Sequence, residues 1–357
     1  MNERPLHHGL ARTLGFCLAL ALGLGFPGVL LAGAFLGASD SASDLVLHPI
    51  GYDGTGGQLD VSICIDPAST EIPQMEVPMQ NVATIWNALE PTTGNLFLGG
   101  NNEIPQGQID WESTILHEIG HCIGLAHPNA ASESGLPGND RNYTKAGNGA
   151  NNVFDIDPGT DGVIGSADDL RGDDVNLHWF NASNNPFVLE STVDGTTYTR
   201  DPGSLPPGDL FAANADRTVS ALPRYGLPNT EASMQQGAFT DEAQRTLVAD
   251  DIATVRIAAA GLDEIEGTAD DYTLNLVYAG VTNSCDIVVR LINTTSFAFC
   301  STSSTSIGSD GHRVLTSAAV TTGNFSWFFT DTLVDAGEIF ADGFEAGNTS
   351  AWSSTIP

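Results

Sequence analysis

Alternating apolar and polar positions mark a strand in residues 59–65, Leu-Asp-Val-Ser-Ile-Cys-Ile. This period of two is typical of a strand with one buried face. A helical pattern follows, in which apolar residues recur at steps of three and four: Met79, Val82, Ile85, Trp86 and Leu89. Such steps place the side chains on one face of a helix. We expect this helix to begin at Pro78 and to end at the Pro-Thr-Thr-Gly sequence of residues 91–94.

The second half of the chain combines one helical pattern with a strand-rich stretch. Residues 241–260 predict a helix, since Ile252, Val255 and Ala259 share one face and Gly261 follows them. Strand-like runs separated by Thr, Ser and Gly occupy residues 272–278, 287–291, 297–299 and 325–329. Together the patterns predict an α+β fold, with a mixed domain over residues 39–262 and a small β-rich C-terminal unit over residues 263–335.

Three other segments show little periodicity. Residues 39–57 are rich in Ser, Asp and Gly, and we expect them to form a flexible start. Residues 128–230 are rich in Asp, Asn and Gly and read as a long insertion, which at this length is usually functional or ion-bound. Residues 336–357 are expected to be a C-terminal tail.

The N-terminal 38 residues have the composition of a signal peptide. Arg4 and Arg12 supply a positive end, and the apolar run of residues 14–37 follows. Two small-residue sequences, Ala32–Ala34 and Leu36–Ala38, are candidate cleavage sites. The alternative is a membrane anchor, because the run is long enough to span a bilayer, although Pro27 and several glycines weaken it as a stable helix. We therefore expect a secreted protein that is not inserted in a membrane after cleavage.

The charge of the chain excludes some partners. Among 357 residues there are 12 Lys and Arg against 44 Asp and Glu, a formal net charge of −32. Such a chain is a poor ligand for nucleic acid or anionic membranes. The acidity fits a soluble, secreted monomer and offers oxygen ligands for calcium, while acidity that serves solubility alone is an equal alternative.

Four of the five cysteines lie outside the expected leader: Cys64, Cys122, Cys285 and Cys300. An even number in an exported chain predicts two disulfides, for which three pairings exist. Cys285 and Cys300 are close in sequence, which favours their pairing and leaves Cys64 for Cys122. Helical rotation carries Cys122 away from the face of its neighbour His121, so we interpret it as a staple and not as a metal ligand.

The strongest chemical signal is the sequence His-Glu-Ile-Gly-His-Cys-Ile-Gly-Leu-Ala-His of residues 117–127. On a helix capped by Asp110, His117 and His121 lie one turn apart and face the same way, with Glu118 beside them. Gly124 can end the helix with a positive φ, so that the chain reverses and brings in His127. Three imidazoles leave one position of a tetrahedral zinc ion open for water, as in catalytic zinc sites. The alternative is a buried helix whose histidines bind no metal.

This motif resembles the zinc signature of the metzincin metallopeptidases, and its matrixin-like branch in particular. The resemblance implies a mixed twisted sheet with about three helices, zinc bound by His117, His121 and His127, and Glu118 as general base. Metzincins also carry a methionine turn beneath the zinc, and Met234 resembles it. In such enzymes an edge strand pairs with the substrate backbone, and residues 95–98 are the candidate here.

A second metal is predicted in the long insertion. Residues 157–168 come close to a twelve-residue calcium loop, with Asp157, Asp161 and Asp168 at positions one, five and twelve. Glycine at position three and aspartate at twelve depart from the pattern and predict weak affinity. A partial repeat follows at Asp263, Asp270 and Asp271. The alternative is a pair of acidic turns without an ion.

Two functions follow from these features. The first is a secreted, zinc-dependent endopeptidase that hydrolyses peptide bonds of extracellular proteins, with Glu118 as general base. The second is a calcium-stabilised surface or adhesion protein whose zinc site does not cut. The intact Glu118 favours the first.

Overall fold

The structure is a computed structural model, which describes residues 32–36, 45–90, 103–126, 156–157, 170–171, 177–180, 198–199, 233–234, 238, 240–247, 249–308 and 311–334. These residues contain three helices, α1 (Ile72–Ala88), α2 (Trp111–Cys122) and α3 (Ala249–Ala259). The strands are β1 (Ala32–Ala34), β2 (Val46–His48), β3 (Gly57–Ile65), β4 (Ile109–Asp110), β5 (Ile156–Asp157), β6 (Leu170–Arg171), β7 (Leu177–Phe180), β8 (Tyr198–Thr199), β9 (Tyr272–Val281), β10 (Ile287–Leu291), β11 (Ala298–Ser306), β12 (His312–Thr322) and β13 (Trp327–Phe328).

A six-stranded, mostly parallel sheet organises the described chain. Its order is β11-β12-β10-β3-β9, and β2 pairs with β12. Only β11 runs antiparallel to its neighbour. The architecture is therefore mixed α and β, which agrees with the α+β prediction at the level of fold class. The strands expected to form a separate C-terminal unit lie instead in one sheet with β3, because β9 and β10 pair with its two edges.

The alternation in residues 59–65 forms a strand as predicted. Val61, Ile63 and Ile65 of β3 are fully buried in the core. Strand β12 had no counterpart in the sequence prediction, since its Ser, Thr and Ala residues hide the buried positions Leu315, Ala318 and Val320. The register between β11 and β12 also shifts between Ser303 and Ser304 of β11. This irregularity further breaks the period of two.

Two helix starts differ from the prediction. Helix α1 begins six residues before Pro78, with Pro73 in its first turn and Pro78 in its interior. A proline is tolerated in the first turn because the N–H groups there have no helical acceptor. Helix α3 begins at Ala249, well after residue 241, since Asp241 has a positive φ of 67°. Residues 241–247 instead cross the start of α2, where the Gln244 N–H donates to Ser113 Oγ.

The stretch 39–57, predicted as a flexible start, contains ordered structure. Strand β2 is buried, and the backbone of Leu47 lies beneath Gly124. Residues 32–36, inside the expected leader, also contact the fold: Phe35 is buried and the Leu36 N–H donates to the Gly124 carbonyl. Among the helices that the structure describes, none combines the length and apolar character needed to span a bilayer.

Two disulfides are present, in a different pairing from the one favoured by sequence. They join Cys64 to Cys285 and Cys122 to Cys300. Cys64 lies beside Val288 in the parallel pair of β3 and β10, so it is close to Cys285 at the start of β10. Strand β12 separates β10 from β11, which carries Cys300. Closeness in sequence therefore does not bring Cys285 and Cys300 together. The two bonds are compatible with an extracellular protein.

Candidate functional site

Helix α2 is held firmly at its N-terminus. The Asp110 carboxylate caps it by accepting from the Ser113 N–H at 3.0 Å, as predicted. Arg245 makes a two-pronged ion pair with the same carboxylate, through Nε and Nη2, both at 2.7 Å. Such bidentate pairs fix geometry as well as charge. The residues that precede the histidines are therefore anchored from two sides.

Helix α2 ends at Cys122, and the chain reverses at Gly124, as the sequence predicted. The Leu125 N–H donates to the Gly120 carbonyl and the Gly124 N–H to the His121 carbonyl, both at 3.0 Å. These two bonds form a Schellman motif, which requires a left-handed residue. Gly124 has a φ of 118°, and a Cβ there would lie 2.5 Å from the Leu47 carbonyl oxygen. No residue but glycine fits this reversal.

His117 and His121 face each other one turn apart. Their ring centroids are 4.5 Å apart with perpendicular planes. The Nδ1 of His117 donates to the Ser233 carbonyl at 2.8 Å, and that of His121 to the Leu125 carbonyl at 2.7 Å. Because Nδ1 carries the proton in both rings, Nε2 carries the lone pair in the neutral form. This is how metal-binding histidines are commonly oriented.

The surroundings keep both rings neutral. Burial, with the neighbouring His121 adding to it, lowers the pKa of His117 to about 3. Burial lowers the pKa of His121 to about 4. Hydrogen bonds to the Ser233 and Leu125 carbonyls act in the opposite direction. At neutral pH both imidazoles therefore have the protonation state that binds a metal ion.

Glu118 is a buried carboxyl group on the neighbouring face of the helix. It is 5% exposed, and its Oε2 has no hydrogen-bond partner among the described residues. Burial raises the pKa of Glu118 to about 8, and a hydrogen bond from the Cys300 backbone partly opposes the shift. A buried carboxyl group with an unmet oxygen and a pKa near neutrality can exchange a proton with a bound substrate.

Met234 packs directly beneath the helix, as the methionine turn of the resemblance implies. It is 2% exposed, and a Cβ on Gly120 would lie 2.2 Å from its Sδ. Met234 therefore packs against α2 at Gly120, which lies between His117 and His121 in the sequence. The adjacent Ser233 supplies the carbonyl that orients His117.

Asp251 is a supporting residue that the sequence interpretation missed. This α3 carboxylate is 1% exposed and accepts from the Ser233 N–H at 2.9 Å and the Met234 N–H at 3.1 Å. It therefore fixes the turn whose carbonyl orients His117. No local motif predicts this role, because an aspartate inside a helix is common. Its function becomes clear only from its contact with the turn at Ser233 and Met234.

Several predicted site residues are not described. His127 lies outside the described residues, as do Asp161, Asp168 and the candidate edge strand at residues 95–98. Asp157 falls in β5, of which the structure gives only the backbone pairing with β6. The third histidine and the first calcium loop therefore stay predictions.

The repeat of the calcium pattern does bring its carboxylates together. Oxygens of Asp263, Asp270 and Asp271 lie within 4.8 Å of one another. Thr268 Oγ1 lies 2.7 Å from a carboxylate oxygen of Asp270 and 2.9 Å from one of Asp271, so its single proton can be donated to either, and the Leu262 N–H donates to Asp270. Hydrogen-bond donors within the loop therefore satisfy its carboxylates. An acidic turn that binds no ion would have the same hydrogen bonds.

Comparison of the chain with models of protein families, with curated proteins and with solved structures gives no match in any of the three. The inference of function therefore depends on the motif and on the geometry around it.

Proposed function

We propose that this chain is a secreted, zinc-dependent endopeptidase of the metzincin, matrixin-like kind. The observation that carries the proposal is the joint arrangement of His117, His121 and Glu118 on one short helix. Both rings donate through Nδ1 to backbone carbonyls, and the carboxylate is buried beside them. In this orientation the Nε2 atom of each ring carries the lone pair that a metal ion would bind.

The described residues fit a zinc ion by their chemistry. Two neutral imidazoles, oriented by carbonyl groups and supported by Met234, are typical zinc ligands. His127 would complete the set, because the chain reverses at Gly124 three residues before it. When bound, the zinc ion would polarise the scissile carbonyl and lower the pKa of a coordinated water molecule to about 7.

The chain's own residues would then move the proton. Glu118 accepts a proton from the attacking water and delivers it to the nitrogen of the leaving amine. Burial raises its pKa and so favours the neutral form, which is the form that delivers the proton to the leaving amine. Its Oε2 has no hydrogen-bond partner among the described residues, which leaves this oxygen available to take the proton.

The substrate is expected to be an extended peptide. Among the described strands, β11 is an outer strand of the six-stranded sheet, and its Cys300 is bonded to Cys122 of α2. Outer strands offer unpaired backbone groups that can bind a peptide as an added strand. Residues 95–98 remain the candidate implied by the resemblance.

The alternative function is a surface or adhesion protein, stabilised by calcium, whose zinc site does not cut. The cluster of Asp263, Asp270 and Asp271 is compatible with it. Zinc analysis does not separate the two functions, since both bind the metal.

A protease assay with and without a chelator does separate them. The purified protein should cleave unfolded casein or a quenched fluorescent peptide mixture, lose this activity with 1,10-phenanthroline at roughly millimolar concentration, and regain it when zinc is restored. A protein that binds one zinc ion but cleaves none of these substrates would support the adhesion alternative.

A further inference from the structure

The last residues of the expected leader contact the folded domain. Strand β1 pairs antiparallel with β7, with Gly33 opposite His178. The same strand lies close to α3, the helix that carries Asp251. Phe35 follows β1 and is fully buried in the core. Residues 32–35 are thus bound to the rest of the chain through two elements and one buried side chain.

Phe35 and Leu36 contact the reversal that follows α2. Phe35 forms an antiparallel bridge with Leu125. The Leu36 N–H donates to the Gly124 carbonyl at 2.9 Å. Gly124 also packs against the Leu47 backbone, where a Cβ would lie 2.5 Å from the carbonyl oxygen. The reversal therefore contacts both β2 and the end of the expected leader.

The candidate zinc ligands depend on this reversal. The Leu125 carbonyl accepts from His121 Nδ1 at 2.7 Å and so orients that ring. His127 follows Leu125 by two positions, so the course of the chain here decides where the third imidazole lies. A shift of the reversal would displace one oriented ring and redirect the chain toward the other.

The two candidate cleavage sites of the leader differ in what they leave behind. Cleavage after Ala34 keeps Phe35 and Leu36 in the mature chain. Cleavage after Ala38 removes both, and with them the bridge and the hydrogen bond to the reversal. It would also empty the buried position of Phe35, and a cavity of that size destabilises a core.

We propose that Phe35 and Leu36 remain in the mature protein, where they hold the reversal and so position the candidate zinc ligands. Leader cleavage then occurs no later than the bond between Ala34 and Phe35. The positioning role rests on the proposed function, whereas the retention of the two residues does not. Neither residue is assigned a contact with the metal or with the substrate.

The N-terminus of the exported protein tests retention directly. The full chain is expressed in a host that exports it, and the purified product is analysed by intact mass and N-terminal sequencing. We expect a chain that starts at Phe35 or earlier, including one that is not cleaved at all. A chain that starts after Phe35 would overturn the proposal, whether or not it binds zinc.

The variant Phe35→Ala tests the positioning role. Its control is Met75→Ala, since Met75 is equally buried but lies on α1, about 16 Å along the helix from Trp86, which donates to the Leu116 carbonyl of α2. Both variants should melt at a lower temperature, because each leaves a cavity in the core.

Zinc affinity separates the two variants. Measured by competition with a fluorescent chelator, it should fall about 10- to 100-fold in Phe35→Ala and stay within about threefold of the wild type in Met75→Ala. Phe35→Leu keeps most of the apolar volume and should also stay within about threefold. An equal loss of affinity in both alanine variants, or no loss in either, would overturn the positioning role.

The N-terminus decides the question of retention even if Phe35→Ala does not fold. A wild type that starts at Phe35 or earlier but binds no zinc would refute the proposed function and the positioning role together. It would leave the retention of the segment established, so the two failures can be told apart.

Discussion

A Cβ atom on Gly120 would lie 2.2 Å from the Sδ of Met234 and 3.0 Å from Trp86 Cζ2. The helix that carries the paired histidines and the turn beneath it therefore approach more closely than any larger residue allows. This contact couples the packing of the core to the position of the two rings.

Gly120→Ala should destabilise the protein by about 1–3 kcal/mol, because the added methyl group overpacks the interface. Thermal unfolding measures the effect. In a Met234→Ala background the same substitution should cost much less, since the clashing sulfur is gone. An equal cost in both backgrounds would show that the contact with Met234 is not the cause.

Asp251→Asn should loosen the turn at Ser233 and Met234. The carboxylate accepts both backbone N–H groups, whereas an amide offers one oxygen and leaves one donor unmet. We expect a loss of about 1–3 kcal/mol in stability and a fall of about 10- to 100-fold in zinc affinity, because the turn orients His117. Competition with a fluorescent chelator measures the affinity. The control is Asp331→Asn at an exposed position, which should change neither the stability nor the zinc affinity.

Glu112 should make stability depend on pH. Burial raises the pKa of this carboxyl group to about 7, with the Asn81 hydrogen bond and the Arg245 charge opposing the shift. Because the folded pKa lies above the unfolded value near 4.5, the folded state binds the proton more tightly. The stabilising contribution is fully present below pH 4.5 and is lost as the pH rises through 7.

Glu112→Gln should abolish this loss, which we expect to amount to about 1–3 kcal/mol. Urea unfolding of both proteins at several pH values tests it through the difference between their free energies. If the difference in the free energy of unfolding between the two proteins does not change between pH 4.5 and 7, Glu112 is not the titrating group.

Calcium should raise the melting temperature if the acidic loops bind it, because a ligand specific to the folded state stabilises that state. Asp161→Ala should remove the part of this rise in melting temperature that is due to the first loop. Asp270→Ala should remove the part that is due to the second. Magnesium at the same concentration is the control for ionic strength. Melting curves that stay the same across millimolar calcium would exclude both sites.

Sequence was sufficient where the signal is local. The cap at Asp110, the reversal at Gly124 and the facing of His117 and His121 follow from spacing and backbone chemistry within a few residues, and the structure has all of them. Met234 was found because the resemblance directed attention to it. Each of these features depends on residues that lie close together in the chain or belong to one motif.

Sequence failed where contacts are distant. The pairing of Cys122 with Cys300 depends on β12 lying between β10 and β11, and β12 itself has too many small and polar residues to be recognised. Asp251 is linked to Met234 only by tertiary packing. Such relationships are set by the order of strands and by side chains that meet across the core, which one sequence does not encode in any local pattern.

One set of variants tests both parts of the proposed function, zinc binding by His117, His121 and His127 and proton transfer by Glu118. The direct measurement is zinc content together with peptide hydrolysis in Glu118→Ala, His121→Ala and His178→Ala. His178, in β7 and outside the motif, should tolerate the change with zinc and activity retained. His121→Ala should lose both. Glu118→Ala should keep about one zinc ion per chain and lose hydrolysis by about two to four orders of magnitude. Full hydrolysis by Glu118→Ala would contradict the account.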